Sequence, residues 1–187
     1  MDKNGDGTTV GLLRALSHVT STATPGKSLI NLSLSGPRSR LVEEAIKETA
    51  KEHNIPMFVS AGNTGDDACK YLPAASSHVF TVGATDHSDI IAYYSAVGDC
   101  VRMYAPGTGI ISAWVSNNTA SMKLDGTSMA NPHVAGIAAS LLAKGIYSDI
   151  ETLYSEIENR ATKGALTMSM TQIYGKLPIK NNLAFAG

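Results

Sequence analysis

Apolar positions recur at helical or strand spacing in several separate stretches. Over residues 8–19, Val10, Leu13, Leu16 and Val19 fall three apart, a spacing that predicts a helix. Gly26 and Lys27 lead into Ser28-Leu29-Ile30-Asn31-Leu32-Ser33-Leu34, a short strand closed by Gly36-Pro37. Leu41, Val42, Ala45, Ile46, Thr49 and Ala50 then form a helical stripe over 39–53, with Glu and Lys opposite and Asn54 and Pro56 as terminators. Met57-Phe58-Val59-Ser60-Ala61 reads as a buried strand running into Gly62-Asn63. Such a strand–helix–strand unit predicts a parallel pair with a right-handed crossover. Further strands are expected at 79–84, 101–105 and 110–114. Residues 127–142 form a largely apolar helix, expected to be buried on most sides, and 150–160 an amphipathic one. The fold class is α/β, a mostly parallel sheet flanked by helices.

Composition narrows the function classes. A chain of 187 residues with 43% hydrophobic side chains suits a single domain with a real core. The net charge of −1 argues against a nucleic-acid partner. No apolar run reaches the ~18 residues of a membrane span, so no membrane partner is expected. The opening Met-Asp-Lys-Asn-Gly-Asp-Gly is polar and acidic, unlike a secretory signal. Cys69 and Cys100 are too few for a disulfide scaffold or a zinc site; composition leaves two free thiols or one bridge equally open.

The densest chemistry lies in Gly126-Thr127-Ser128-Met129-Ala130-Asn131-Pro132-His133-Val134-Ala135-Gly136. Ser128 falls in the first turn of a helix, just after a glycine turn. The N–H groups there are unpaired and the helix dipole favours negative charge. A serine so placed can attack a carbonyl while its own N–H holds the oxyanion. A bare Gly-Thr-Ser is more often a helix cap than a nucleophile. The whole string, however, resembles the serine motif of the subtilisin-like proteases. Ile30-Asn31-Leu32-Ser33-Leu34 resembles that family's substrate-binding strand, and Val59-Ser60-Ala61-Gly62-Asn63 its oxyanion segment. Thr81-Val82-Gly83-Ala84 and Tyr104-Ala105-Pro106-Gly107 are further landmarks, and the proteinase K and cerevisin-like branch is the nearest in pattern.

The resemblance implies Ser128 as nucleophile and Asn63 as oxyanion donor. It implies that Ser33, Leu34, Ser35, Ser60, Ala61 and Gly62 line a cleft that binds a peptide or protein substrate by strand addition. Ser35 departs from the glycine usual in relatives and narrows the cleft. Cys69 and Cys100 match a disulfide of cerevisin-like enzymes, which implies an extracellular or vacuolar location. A propeptide and a monomeric state also follow from the resemblance.

The same family pattern requires a histidine base and an orienting aspartate upstream of the serine. Segments resembling Asp-Thr/Ser-Gly and His-Gly-Thr do not occur. His133, five residues after Ser128, is turned about 140° away on the helix. His18, His53, His78 and His87 sit in polar or turn contexts. Loss of the histidine from a subtilisin costs about 10⁶ in turnover, a known value for that enzyme. The expectation is therefore that residues 1–187 are the C-terminal portion of one subtilisin-like peptidase domain, lacking its N-terminal strands and nearly inert alone. Apolar sheet edges left open beside residues 30–34 and 56–61 would accompany that. The competing expectation is a short, complete, non-catalytic relative that at most holds peptides.

Four further motifs need weighing. Asp2-Lys3-Asn4-Gly5-Asp6-Gly7 copies half of an EF-hand loop, but Leu13 stands where a bidentate Glu is required. Arg102 follows Cys100-Val101 where the resemblance would place a calcium-binding aspartate; a cation there repels Ca²⁺. No metal and no cofactor are expected. Residues 126–130 approximate the nucleophile elbow of α/β-hydrolases, which needs a histidine after the serine, and none follows His133. Asn117-Asn118-Thr119 is a glycosylation sequon in an expected surface loop, whereas Asn31-Leu32-Ser33 lies in an expected buried strand.

Overall fold

A computed structural model describes residues 5–145, 147–168 and 177–187. Thr8 caps the first helix, α1 (Thr9–Thr22), by accepting from the Gly11 N–H. Its buried stripe is Leu16 with Leu12, Val19 and Ala23, while Val10 is 57% exposed. The three-residue spacing misassigned Val10: nine residues from Val19 amount to about 900° of helix, half a turn off.

Strand β1 (Ile30–Leu32) passes through α2 (Arg40–Lys51) to β2 (Met57–Ser60), and the two strands pair in parallel as the pattern predicts. Strand β3 (Phe80–Thr85) and β4 (Val101–Pro106) add in parallel, with no α-helix in either connection. Next along the chain is a hairpin, β5 (Ile110–Ala113) and β6 (Ser121–Leu124), which forms a separate antiparallel pair. Residues 110–114 therefore do not extend the main sheet. After it come α3 (Thr127–Lys144), α4 (Ile150–Arg160), β7 (Thr162–Lys163) and β8 (Asn182–Leu183). The sheet runs β1-β2-β3-β4-β8-β7, parallel except at β7. Of the two strands expected to leave open edges, only β1 is terminal; β2 is flanked on both sides.

Helix α3 packs across β1, β2, β3 and β4. It buries Ala130, Val134, Ala135, Ala138 and Leu141 but exposes Pro132, His133, Gly136, Ala139 and Ser140. Burial on most sides is thus corrected to burial of one face: apolar Ala and Gly positions carry little area and tolerate solvent. The core continues into α4, whose Tyr154 hydroxyl accepts from the Met57 N–H (2.8 Å) and donates to the Met57 carbonyl (3.0 Å). Tyr154 meets Phe58 and Phe80 edge-on. The Arg102 guanidinium lies 5.0 and 4.9 Å from the Phe80 and Tyr154 ring centres and pairs with Glu158 at 2.9 Å. The position expected to repel a metal thus joins β4 to α4 by a cation–π and ion-pair contact. Cys69 and Cys100 are bonded, tying the β2–β3 connection to the start of β4.

Candidate active site

The candidate residues gather beyond the carboxyl ends of β1 and β2, where α3 begins, the usual ligand-binding end of a parallel sheet. Gly126 precedes α3 and has no side chain to cap it. Asn63 takes over part of that duty: its Oδ1 accepts from the Thr127 N–H (2.9 Å) and from the Thr127 hydroxyl (2.8 Å). The Thr127 hydroxyl in turn accepts from the Gly62 N–H (3.2 Å). A backbone N–H can only donate, so the atom facing it must be the amide oxygen. The Asn63 amide is thereby fixed in one orientation, with Nδ2 turned away from Thr127.

The place beside Nδ2 is occupied by Gly126. A Cβ at that glycine would lie 3.4 Å from Asn63 Nδ2, 3.5 Å from the Met129 Sδ and 3.7 Å from the Ser128 nitrogen. Two N–H donors thus border one small space, which the missing side chain leaves clear. Among the described residues the Ser128 N–H donates to no protein acceptor, and the Ser128 hydroxyl has no protein partner. Ser128 is half-buried and Asn63 exposed. Paired donors beside a free hydroxyl can bind the oxygen of a carbonyl under attack.

Helix α3 is held in this position by polar contacts that the residue pattern did not single out. Pro132 has no N–H to offer the carbonyl of Ser128, one helical turn earlier. The Ser33 hydroxyl donates to that carbonyl instead (3.2 Å), joining the end of β1 to α3. Asn131 is fully buried, and the two hydrogens of its Nδ2 are shared among three acceptors: Asn31 Oδ1 (2.6 Å), the Phe58 carbonyl (3.0 Å) and the Leu32 carbonyl (3.2 Å). Gly107 accepts from the Gly126 N–H (2.8 Å), and a Cβ there would sit 2.6 Å from Ala84 Cβ and 2.8 Å from the Gly126 carbonyl. Only a glycine lets the end of β4 approach the start of α3 this closely. The Tyr94 hydroxyl donates to the Gly107 carbonyl (3.0 Å), and its burial pushes the phenol pKa up.

The remaining candidates fall on two sides of this centre. Ser33 and Leu34 are half-buried and Ser35 is exposed; no main-chain hydrogen bond involves these three among the described residues. Their peptide groups can pair with an extended chain. Ser60 and Ala61 are buried, and the Ala61 N–H donates to Val82 inside the sheet. Gly62 accepts from the Ala96 N–H (2.9 Å). This second segment can border a groove only through its backbone. His133 Nδ1 lies 2.8 Å from the Met129 carbonyl, and none of the five histidines hydrogen-bonds to Ser128 among the described residues. Gly5, Asp6 and Gly7 of the EF-hand-like run precede α1, whereas Asp2, Lys3 and Asn4 lie outside the described residues.

Signals for the supporting residues were present but silent. A proline four residues after a serine in a helix announces a free carbonyl, and Asn at 131 is a buried polar residue amid alanines. Neither says what it binds until β1 and β2 are in place.

Comparison with known proteins gives three concordant findings. Residues 1–176 match the family model described as the Subtilase family. Subtilisin-like protease 2 of Pseudogymnoascus destructans is 36% identical over 166 residues, and the cuticle-degrading serine protease of Arthrobotrys oligospora 34% over 168. Each match takes in 89% of this chain and 41% of the relative, so the chain spans about two-fifths of the length of these curated relatives. The crystal structure of a cold adapted subtilisin-like serine proteinase superposes with a TM-score of 0.90 at 32% identity, covering all of this chain and 64% of the other.

Proposed function

The chain belongs to the subtilase family, and from that premise we propose that it is the serine-bearing, C-terminal part of a single subtilisin-like endopeptidase domain. Ser128 Oγ attacks the carbonyl carbon of a peptide bond while its proton passes to a histidine base contributed from outside residues 1–187. The negative oxygen is received by Asn63 Nδ2 and the Ser128 N–H. The leaving amine takes the proton, and water then hydrolyses the acyl group from Ser128. Ser33, Leu34 and Ser35 pair with an extended peptide on one side, and the backbone of Ser60, Ala61 and Gly62 borders the other. The observation that carries this reading is the fixed Asn63 amide, whose nitrogen shares one space with the Ser128 N–H. The Cys69–Cys100 disulfide supports an extracellular or vacuolar site of action, since such bonds persist in oxidising compartments.

A second reading has one observation in its favour: no histidine of this chain reaches Ser128 among the described residues. Under it, the protein binds extended peptides without cleaving them. A fluorophosphonate probe separates the two on the native protein. The peptidase reading requires covalent label on Ser128, abolished in Ser128→Ala, on a species whose intact mass exceeds 19.6 kDa. A native species of that mass, unlabelled at Ser128 yet able to bind peptide, would establish the binding protein instead.

A further inference from the structure

The β5–β6 hairpin presents a surface the catalytic reading does not use. Residues 111–119 are all exposed, among them Ile111 (70%), Trp114 (39%) and Val115 (89%). Ile110-Ile111-Ser112-Ala113-Trp114-Val115 is uncharged, free of proline and rich in β-formers, and among the described residues β5 pairs only with β6. A solvent-facing segment of this kind is an edge-to-edge aggregation hazard unless something covers or interrupts it. The next residues supply no charge. They supply Asn117-Asn118-Thr119 at the hairpin tip.

The geometry of this tripeptide differs from that of the other sequon. Asn117 Oδ1 accepts from the Thr119 N–H (3.0 Å) and from the Thr119 hydroxyl (3.1 Å), which folds the acceptor amide onto its own hydroxyl partner. That leaves Asn117 Nδ2 facing solvent, with no protein partner among the described residues. In Asn31-Leu32-Ser33, both groups are committed elsewhere: Asn31 Oδ1 to Asn131 and the Ser33 hydroxyl to the Ser128 carbonyl. Asn31 is itself exposed, not buried as its strand was expected to be, but it sits in β1, paired against Phe58 of β2. The Cys69–Cys100 bond, independent of any role for Ser128, fits an oxidising compartment of the kind in which glycosyl transfer takes place.

We infer that Asn117, and not Asn31, carries an N-linked glycan that shields the exposed apolar hairpin. The donor is a lipid-linked oligosaccharyl pyrophosphate. A bond forms between Asn117 Nδ2 and the anomeric carbon, the carbon–oxygen bond to phosphate breaks, the amide nitrogen gives up one proton, and the lipid pyrophosphate departs.

The test is glycopeptide mapping of the protein secreted from a eukaryotic host, with and without peptide N-glycosidase in heavy-oxygen water. The expected result is one glycan, and enzymatic release that leaves an isotope-marked carboxyl at position 117. Asn117→Gln and Thr119→Ala should each lose the mass shift, whereas Thr119→Ser and Asn31→Gln should keep it. Enzymatically stripped wild-type protein should scatter several-fold more light on concentration than the glycosylated form. A bare carboxamide at 117 in secreted, disulfide-bonded wild-type protein would overturn the site. Equal scattering would overturn the shielding role.

Discussion

Asn63 and Thr127 show how one amide is turned into a directed donor. The Asn63 oxygen is held twice by Thr127, once by backbone and once by hydroxyl, so reversing the amide would set an NH₂ group against an N–H. Removing the Asn63 side chain, as Asn63→Ala, should slow fluorophosphonate labelling of the native protein by about 10²–10³, the loss known for such a donor in a subtilisin. Thr127→Val keeps the backbone bond and removes only the hydroxyl, so labelling should fall by roughly five- to tenfold, in line with a neutral hydrogen bond of about 1 kcal/mol. The two mutations together should cost little more than Asn63→Ala alone, because Thr127 acts through Asn63. Additive losses would mean that Thr127 acts on the substrate by another route. Of this pair, Asn63 was legible through the resemblance of its segment, while Thr127 was not. Its neighbour Ser128 drew the chemistry, and a threonine beside a glycine reads as a cap until Asn63 is seen across 64 positions of sequence.

Helix α3 trades a regular hydrogen-bond ladder for a connection to the sheet. Pro132 withholds the N–H that would occupy the Ser128 carbonyl, and the Ser33 hydroxyl fills the place. Pro132→Ala restores a main-chain donor and relieves an unfavourable helix residue, offset in part by a more flexible unfolded chain. Denaturant unfolding should show a gain of about 1–2 kcal/mol. Ser33→Ala should cost stability in the parent and much less in the Pro132→Ala background, where the carbonyl has its helical partner. Equal costs in the two backgrounds would sink this account of the proline. At the scale of elements, the sequence pattern located α2, α3, α4 and strands β1 to β5, because each carries either a helical stripe or a short apolar-rich segment bounded by turn residues. It misplaced the stripe of α1 and missed β6, β7 and β8. Ser121-Met122-Lys123-Leu124 is exposed throughout, so no buried face imposes an alternation there. The last two strands are two residues each, and partners distant in sequence create them: Asn182 and Leu183 pair with Lys163, Thr162 and Tyr104.

Over the whole molecule, stability rests on a core that runs unbroken from α1 to α4, and on one covalent link across its loops. The Cys69–Cys100 bond closes 31 residues that include all of β3. The resemblance pointed to this pairing, where composition alone left the thiols open. Loop-closure arithmetic gives about 3–4 kcal/mol for a ring of that size. Both cysteines should therefore resist alkylation until reduced, and reduction should lower the unfolding free energy by that amount; immediate alkylation of both would contradict the bond. The core also fixes how the protein meets alkali. Tyr104 and Tyr154 are fully buried, one on β4 with its hydroxyl unpartnered among the described residues, the other on α4 bonded to Met57. Burial pushes both phenols well above their usual range, the Met57 N–H and Arg102 only partly opposing this at Tyr154. A raised folded-state pKa means that the unfolded chain loses its proton first. The stabilisation is complete below the unfolded phenol value of about 10 and drains away as pH rises beyond it, by about 1.4 kcal/mol per tyrosine over the first unit. Tyrosinate absorbance should accordingly rise in two stages on alkaline titration, and the second, carrying Tyr104 and Tyr154, should coincide with loss of the far-ultraviolet helix signal. In Tyr104→Phe the second stage should shrink by one tyrosine and start at higher pH, since the replacement keeps the ring against Gly83 and removes only the ionisable group. Titration of both phenols while the helices persist would show that this interior admits charge, and the packing of α3 and α4 on the sheet would need a different explanation.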